Sequence, residues 1–211
     1  MIKTIFTLSL LSITVFIGSC QSNKTPEKTA KNSSDYGASS YAYFSSGCFW
    51  CVEAIFERVD GVTEAVSGYS GGTEKNPTYQ NLGSHAETVM VQYDSNVVDF
   101  PTLLKVYYGS QNPTTVGQEP DFGSHYRSII FYQNSIEKQL AKEFKSRLEK
   151  SNKYDNPVVT EIKTFEKFWK AEAYHQNYEK LNPNQAYVKS VSIPRLQKFQ
   201  RSFPALLKKS N

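Results

Sequence analysis

The chain has 211 residues, of which 39% are hydrophobic and 21% are charged, and its formal net charge is +4. Without Lys3, which belongs to an N-terminal segment considered next, the net charge falls to +3. This small excess does not indicate a polyanionic partner such as a nucleic acid.

The N-terminal segment has the features of an export signal. Lys3 precedes an apolar run over residues 5–17, which is shorter than the roughly 20 residues needed to span a membrane. Residues 17–20 read Ile-Gly-Ser-Cys and resemble a bacterial lipobox, in which the cysteine receives lipid and becomes the mature N-terminus. Residues 1–20 are therefore predicted to be a lipoprotein signal peptide with Cys20 as the lipidated residue. The alternative is an ordinary signal peptide that leaves Cys20 as a free thiol.

Residues 21–40 are rich in Ser, Asn, Lys, Thr and Ala, and they contain almost no apolar side chains. Such a segment cannot bury enough surface to offset the entropy lost on ordering, so it is predicted to be a flexible tether. Residues 41–211 then form a single domain. Together these segments predict an exported protein that is held at the bacterial cell envelope only by its lipid.

The spacing of apolar residues predicts the elements of the domain in chain order. They are a strand at 41–44, a helix at 48–59, strands at 62–70 and 88–93, a helix at 99–109, a strand at 126–132, a helix at 134–150, a strand at 158–165 and a helix at 166–181. Several strands follow one another without an intervening helix. This order predicts an α+β fold, a two-layer α/β sandwich with a mixed, mainly antiparallel sheet and a ferredoxin-like core.

The sequence after about Asn182 shows little periodicity, and it is predicted to be a coil-rich C-terminal tail. Basic side chains recur in this tail, at Arg195, Lys198, Arg201, Lys208 and Lys209. They are interpreted as a solvated surface rather than as a membrane contact.

Cys48 and Cys51 are the two cysteines of the predicted domain, three positions apart. On a helix this spacing places the two Cα atoms about 5 Å apart, within the range that a disulfide allows. If Cys48 lies in the first helical turn, the free N–H groups and the helix dipole favour its thiolate, which makes it a nucleophile. Cys51, one turn further, could then attack an oxidised Cys48.

Other functions for this cysteine pair remain open from the residues alone. It could be a static disulfide, or it could bind a metal together with two of His85, His125 and His175. A Cys-x-x-Cys pair at a helix start is also typical of thioredoxin-like dithiol oxidoreductases. A lipoprotein that only binds a ligand, with a structural cysteine pair, is the non-enzymatic alternative.

A series of motifs resembles one protein family. The motifs are GCFWC at 47–51, GYSGG at 68–72, NPTY at 76–79, HAE at 85–87, NPTT at 112–115, YRS at 126–128 and AYHQ at 173–176. In this order, over about residues 41–182, the chain is similar to the A-type peptide methionine sulfoxide reductases. The resemblance implies thiol-dependent reduction of methionine S-sulfoxide, peptidyl or free, without a metal, flavin or nucleotide cofactor. It also implies a monomer that repairs oxidised proteins and is recycled by a thioredoxin-like reductant.

The resemblance further implies how the cysteines and one carboxylate act. Cys48 would attack the sulfoxide sulfur and become a sulfenic acid, and Cys51 would condense with it to a disulfide. Many relatives carry a resolving cysteine in the C-terminal tail, but no cysteine follows Cys51 here. Glu87 would be the acid that protonates the sulfoxide oxygen. The alternative for Glu87 is a surface carboxylate without a catalytic role.

The remaining implied residues would bind the substrate. Tyr79 and Tyr126 would donate hydrogen bonds to the sulfoxide oxygen, and Phe49 and Trp50 would enclose the S-methyl group. Asp121 would contact the substrate backbone. For the four aromatic residues, ordinary core packing is the alternative.

Overall fold

The computed structural model describes residues 40–209. The predicted signal peptide, the lipidation site at Cys20 and nearly all of the predicted tether lie outside the described residues. The helices and strands are β1 (Ser40–Ser45), α1 (Phe49–Glu57), β2 (Val62–Ser70), β3 (Ala86–Tyr93), α2 (Phe100–Gly109), β4 (Gly117–Gln118), β5 (Asp121–Phe122), β6 (Ile129–Tyr132), α3 (Ser135–Lys150), β7 (Glu161–Thr164), β8 (Trp169–Lys170), α4 (Tyr178–Leu181) and α5 (Ile193–Ser202). None of the helices in residues 40–209 is long and apolar enough to cross a membrane.

Six strands form one mixed sheet in the order β7-β6-β1-β3-β2-β8. Every neighbouring pair is antiparallel except β6 and β7, which are parallel. The four central strands alternate with α1 and α2 in the sequence β1-α1-β2-β3-α2-β6 and lie in the spatial order β6-β1-β3-β2, which is the ferredoxin-like arrangement. The predicted α+β class, with a mixed and mainly antiparallel sheet, is confirmed.

Both faces of the central strands are buried, and successive side chains of a strand point to opposite faces of the sheet. In β1, Ala42 and Phe44 face the main core, whereas Tyr43 faces the opposite side. The main core lies between the sheet and the helices, and it includes Val52, Ile55 and Phe56 of α1, Leu103, Leu104 and Tyr107 of α2, and Phe199 of α5. The smaller cluster on the opposite face contains Ile129 and Phe131, and Phe165 and Phe168 pack against it.

The predicted helix at 166–181 is wrong for most of its length. Residues 169–170 instead form β8 at the edge of the sheet, and a short 3-10 turn (Ala173–His175) and α4 follow. The Gln176 side chain accepts a hydrogen bond from the backbone N–H of Ser67 and donates one to its carbonyl, at 3.1 and 3.0 Å. These contacts with β2 outweigh the helical spacing, since tertiary context overrides local propensity.

The predicted coil after Asn182 is also wrong. A π-helical turn (Val188–Ser192) leads directly into α5, with Pro194 in the first turn of α5. Ser192, Leu196 and Phe199 are buried at the spacing i, i+4 and i+7, so one face of this helix packs on the core. The tail therefore belongs to the folded domain.

Candidate active site

Cys48 lies at the junction between β1 and α1. Gly47 has a φ of 78°, a value that glycine adopts readily and other residues rarely do. A Cβ atom at this position would lie 2.8 Å from the Gln118 side chain, and the Gly47 N–H donates to the Tyr126 carbonyl at 3.0 Å. This turn places Cys48 at the N-cap of α1, one residue before the position expected from the sequence. The Cys48 side chain is only 6% exposed.

Most of the site residues predicted from the sequence meet in one cavity of about 170 Å³. Its lining residues are Cys48, Phe49, Trp50, Tyr79, Glu87, Asp121, Tyr126, Gln185 and Tyr187. The predicted nucleophile, acid, hydroxyl donors, aromatic residues and substrate-contacting aspartate thus share one space. Cys51 does not line this cavity, and it is buried one turn further along α1.

Glu87 on β3 is a buried carboxyl and not a surface one. Its side chain is 3% exposed, and its Oε2 accepts a hydrogen bond of 2.8 Å from the backbone N–H of Phe49. Burial raises the pKa of Glu87 to about 8, although the Phe49 N–H lowers it. Glu87 therefore carries a proton near neutral pH, as a general acid requires.

The two cysteines of the site are free thiols, and both are buried. Burial raises the pKa of Cys48 well above its ordinary value, and the neighbouring Cys51 raises it further. The pKa of Cys51 is lowered to about 6, chiefly by the neighbouring Cys48 thiol; burial opposes this effect, and the Arg195 cation supports it. The pair thus holds one negative charge near neutral pH.

Tyr79 and Tyr126 bring hydroxyl groups to the cavity from two different loops. Burial raises the pKa of both, and the Glu87 carboxyl raises it further. The two phenols therefore stay protonated and can donate hydrogen bonds. Tyr126 lies at the end of a 3-10 turn (Ser124–Tyr126) before β6, rather than within the predicted strand.

Trp50 is held by aromatic stacking and by a hydrogen bond. Its ring stacks on Tyr178 with centroids 3.7 Å apart, and its Nε1–H donates to Nδ1 of His175 at 3.1 Å. Burial lowers the pKa of His175, which keeps the imidazole neutral and Nδ1 free to accept. Phe49 is fully buried, with its ring centroid 6.3 Å from that of Tyr79.

The sequence analysis missed several residues that organise this site. Glu172 accepts hydrogen bonds from the Tyr69 hydroxyl at 2.7 Å and from the Tyr79 backbone N–H at 3.0 Å. Tyr187 donates its hydroxyl hydrogen to Asp121 Oδ2 and lies 3.9 Å from the Cys51 sulfur. His175 lies in the AYHQ motif, which could have identified it as a site residue. From the sequence it was interpreted only as a possible metal ligand. Tyr187 has no such motif around it.

The three histidines do not converge on the cysteine pair. His85 binds the Gly72 N–H and the Glu74 carbonyl, and His125 contacts the His85 carbonyl. Within residues 40–209, no group of three or more His, Cys, Asp or Glu side chains is placed to hold a metal ion. This geometry disfavours the metal-site interpretation of Cys48 and Cys51.

Comparisons with known proteins agree with this geometry. Residues 40–206 match the family model "Peptide methionine sulfoxide reductase". The chain is 41% identical over 167 residues to the peptide methionine sulfoxide reductase MsrA of Natronomonas pharaonis, covering 77% of this chain and 94% of that protein. Two solved structures share its fold: reduced Mxr1 from Saccharomyces cerevisiae has a TM-score of 0.65 and 25% identity, covering 70% of this chain and 87% of that one. Methionine sulfoxide reductase A of Corynebacterium diphtheriae has a TM-score of 0.63 and 27% identity, and the match covers 71% of this chain and 77% of that one. The chain therefore belongs to the A-type peptide methionine sulfoxide reductases and is an oxidoreductase.

Proposed function

We propose that the protein reduces methionine S-sulfoxide, free or within polypeptides, through a Cys48 sulfenic acid and a Cys48–Cys51 disulfide. The observation that carries this proposal is the shared cavity, in which the Cys48 side chain faces the same space as Glu87, Tyr79 and Tyr126. The preference for the S epimer comes from the family, and it is part of the proposal.

In the first step, the sulfoxide oxygen accepts hydrogen bonds from Tyr79, Tyr126 and protonated Glu87, and the S-methyl group lies against Phe49 and Trp50. Aromatic edges attract such sulfur groups. The Cys48 sulfur attacks the sulfoxide sulfur, and the S–O oxygen is transferred to Cys48 with a proton from Glu87. Methionine leaves, reduced by two electrons, and Cys48 becomes a sulfenic acid.

The negative charge of the cysteine pair must lie on Cys48 for this attack, because the thiolate is the nucleophilic form. Near neutral pH the pair holds one charge and one proton. With that proton on Cys51, the charge lies on Cys48. Glu87, protonated with a pKa of about 8, does not repel the charge at this stage.

In the second step, the Cys51 sulfur attacks the Cys48 sulfenic sulfur, and the proton of the Cys51 thiol passes to the leaving oxygen. An S–S bond forms, the S–O bond breaks, and the oxygen leaves as water. A dithiol donor of the thioredoxin type then reduces the disulfide by thiol exchange. A yeast protein of the same fold, 22% identical to this chain, has been solved in complex with Trx2, and this is consistent with such a donor.

The N-terminal sequence supports a proposal for the cellular setting. We propose that residues 1–20 are a lipoprotein signal peptide, that Cys20 is lipidated, and that residues 21–40 tether a monomeric repair enzyme to the bacterial envelope under oxidative stress. Labelling with palmitate should mark the full-length chain and should fail to mark a Cys20→Ala variant. Labelling of both chains, or of neither, would contradict lipidation at Cys20.

A single-turnover experiment tests the catalytic cycle. One equivalent of methionine S-sulfoxide is added to the reduced protein without reductant, and methionine and free thiols are counted. The parent should lose two thiols for each methionine formed. Cys51→Ser should form methionine and accumulate a trappable sulfenic acid, and Cys48→Ser should form none. Methionine formation by Cys48→Ser would exclude Cys48 as the nucleophile.

A further inference from the structure

His175 lies behind the part of the active-site cavity that Trp50 forms. The imidazole is 1% exposed and does not line the cavity. Its Nδ1 accepts the hydrogen bond of 3.1 Å from the Trp50 Nε1–H, and its ring centroid lies 4.9 Å from that of Phe49 and 4.5 Å from that of Tyr79. His175 thus packs against three residues of the cavity and forms a hydrogen bond with Trp50.

The charge of Glu172 favours the tautomer of His175 that this hydrogen bond requires. Burial lowers the pKa of His175, and a neutral imidazole carries one hydrogen. Since Nδ1 accepts, that hydrogen is on Nε2, which lies 3.9 Å from Oε2 of Glu172. Although burial raises the pKa of Glu172, hydrogen bonds to its oxygens outweigh this effect and lower it, so the carboxylate is charged. A negative charge beside Nε2 keeps the hydrogen there and leaves Nδ1 free to accept.

The turn that carries His175 is fixed to the sheet and to α1. Its neighbour Gln176 exchanges two hydrogen bonds with the Ser67 backbone of β2, at 3.1 and 3.0 Å. The Asn177 N–H donates to the Glu53 carboxyl of α1. The imidazole therefore has a fixed position from which it can hold the indole.

Stacking alone does not fix the position of the Trp50 indole. Its ring is parallel to that of Tyr178 within 8°, at a centroid distance of 3.7 Å. This contact sets the plane of the indole but leaves the ring able to slide or turn within that plane. Trp50 and Tyr178 also border a second cavity of about 1050 Å³, so there is space for such a movement. The hydrogen bond from the indole N–H to His175 opposes it.

We propose that His175 is a positioning residue that determines which S-alkyl group the active site accepts. By holding the indole edge of Trp50, it keeps the cavity small enough to favour an S-methyl group over a larger one. This inference rests on the proposed function, in which Trp50 encloses the S-methyl group. His175 acts through Trp50 and does not itself contact the substrate.

A comparison of two sulfoxides that differ by one methylene group tests this role. The S-sulfoxides of methionine and of ethionine, in which ethyl replaces the S-methyl group, are reduced with excess dithiol, and kcat/KM is measured for each. The ratio of the two values does not depend on the fraction of protein that is folded, so a purely structural defect leaves it unchanged. The parent is compared with His175→Phe, which keeps a ring but has no acceptor, and with His175→Asn, whose amide oxygen can accept near the position of Nδ1.

The parent should favour the methyl compound by about 10-fold to 200-fold, the usual effect of one methylene group in a fitted pocket. His175→Phe should lower this preference by about 2-fold to 10-fold, the usual contribution of one hydrogen bond, and His175→Asn should retain most of it. Tyr174→Phe, which changes an exposed residue of the same turn, should match the parent. In Trp50→Phe, which has no indole N–H, the additional change His175→Phe should not alter the preference further.

A parent that reduces both sulfoxides equally well, or a His175→Phe variant with the parent preference, would overturn the inference and leave the reductase function standing. Equal losses in His175→Phe and His175→Asn would do the same, and so would an effect of His175→Phe that persists in Trp50→Phe. A parent that reduces neither sulfoxide would instead refute the proposed function.

A second measurement follows the contact without turnover. The chain has 2 Trp, so the indole N–H groups of Trp50 and Trp169 give two NMR signals, which Trp169→Phe assigns. Hydrogen exchange of the Trp50 signal should be faster in His175→Phe than in the parent and in His175→Asn. Exchange at the parent rate in His175→Phe would show that His175 does not hold the indole. A Trp50 indole that exchanges in the parent as fast as in the unfolded chain would also overturn the inference, and this result does not depend on the folding of any variant.

Discussion

The backbone N–H of Phe49 donates a hydrogen bond of 2.8 Å to the Glu87 carboxyl. This bond ties the first turn of α1, which follows the nucleophile, to strand β3, which carries the proposed acid. It lowers the pKa of Glu87, but burial outweighs it and brings the pKa to about 8. The same contact therefore positions the acid without removing its proton.

Glu87→Gln should slow methionine formation by a factor of about 100 to 10,000, the usual contribution of a general acid. Glutamine keeps the shape of the side chain and an oxygen that accepts the Phe49 N–H, but it has no acidic proton. The rate of the first turnover at pH 7, measured as methionine released, checks this prediction. Glu53→Gln is the matched control, because Glu53 is a buried carboxyl of α1 that accepts a backbone N–H and lies outside the active-site cavity.

The pH dependence should separate an acid from a positioning group. Since the pKa of Glu87 is about 8, the parent rate should fall as the pH rises through this value and the carboxyl loses its proton. Glu87→Gln should lack this decline. If the variant retains the parent rate, or declines with the same midpoint, Glu87 is not the proton donor.

The same substitution should stabilise the fold at alkaline pH. The folded-state pKa of Glu87, about 8, lies above the ordinary value of 4.5, so the folded protein retains a proton that the unfolded chain releases. The associated stability is fully present below pH 4.5 and is lost as the pH rises toward 8. Glutamine does not titrate, so the gain in free energy of unfolding should increase by about 1.4 kcal/mol per pH unit in this window.

Urea unfolding of the parent and of Glu87→Gln at pH 5 and pH 8 measures this effect. Both proteins contain Glu53, another buried carboxyl, so its titration cancels in the comparison. A difference between the two proteins that is equal at pH 5 and pH 8 would mean that burial of the Glu87 charge does not limit stability.

The two phenols should act together on the sulfoxide oxygen. Removal of one hydrogen-bond donor from such a site costs about 100-fold to 1,000-fold in rate, and we expect losses toward the lower end for Tyr79→Phe or Tyr126→Phe, because each leaves the other hydroxyl in place. The double variant should lose more than either single one. The test is the rate of methionine formation at saturating substrate, with Tyr41→Phe on the surface as control. A double variant as fast as the parent would exclude both hydroxyls from the chemistry.

The sequence was sufficient to locate the residues proposed to react with the substrate, but not the residues that hold them in place. Cys48, Glu87, Tyr79 and Tyr126 lie in short motifs, so their positions could be compared with a family without knowledge of the fold. Arg195 and Tyr187 lie in a segment without a motif, and their roles depend on contacts with residues far away in the chain. Arg195, for example, contacts Ser46 across 149 positions.

Strand β8 at the edge of the sheet is a second feature that the sequence did not predict. The apolar spacing of residues 166–181 favours a helix, but Trp169 and Lys170 pair with Tyr69 and Gly68 of β2. A Cβ atom at Gly68 would lie 2.3 Å from the Phe168 ring, so this glycine is what allows the segment to approach the strand. Local periodicity does not report such a long-range contact.

The C-terminal helix α5 should be essential to the stability of the domain. Phe199 is 1% exposed and belongs to the main core, with its ring 5.3 Å from that of Phe203. Phe199→Ala should lower the free energy of unfolding by about 3 to 5 kcal/mol, because it removes buried apolar surface and leaves a cavity. Phe122→Ala should change it by about 0.5 kcal/mol or less, since that ring is 58% exposed.

Chemical denaturation of the two variants distinguishes a folded C-terminal helix from a coil that only covers the surface. Equal effects of Phe199→Ala and Phe122→Ala would support the coil. A large effect of Phe199→Ala alone would show that the helix is part of the cooperative unit. In that case, loss of α5 would also release Arg195 from the Ser46 and Ser110 carbonyls, because Phe199 lies one turn beyond Arg195 on the same helix.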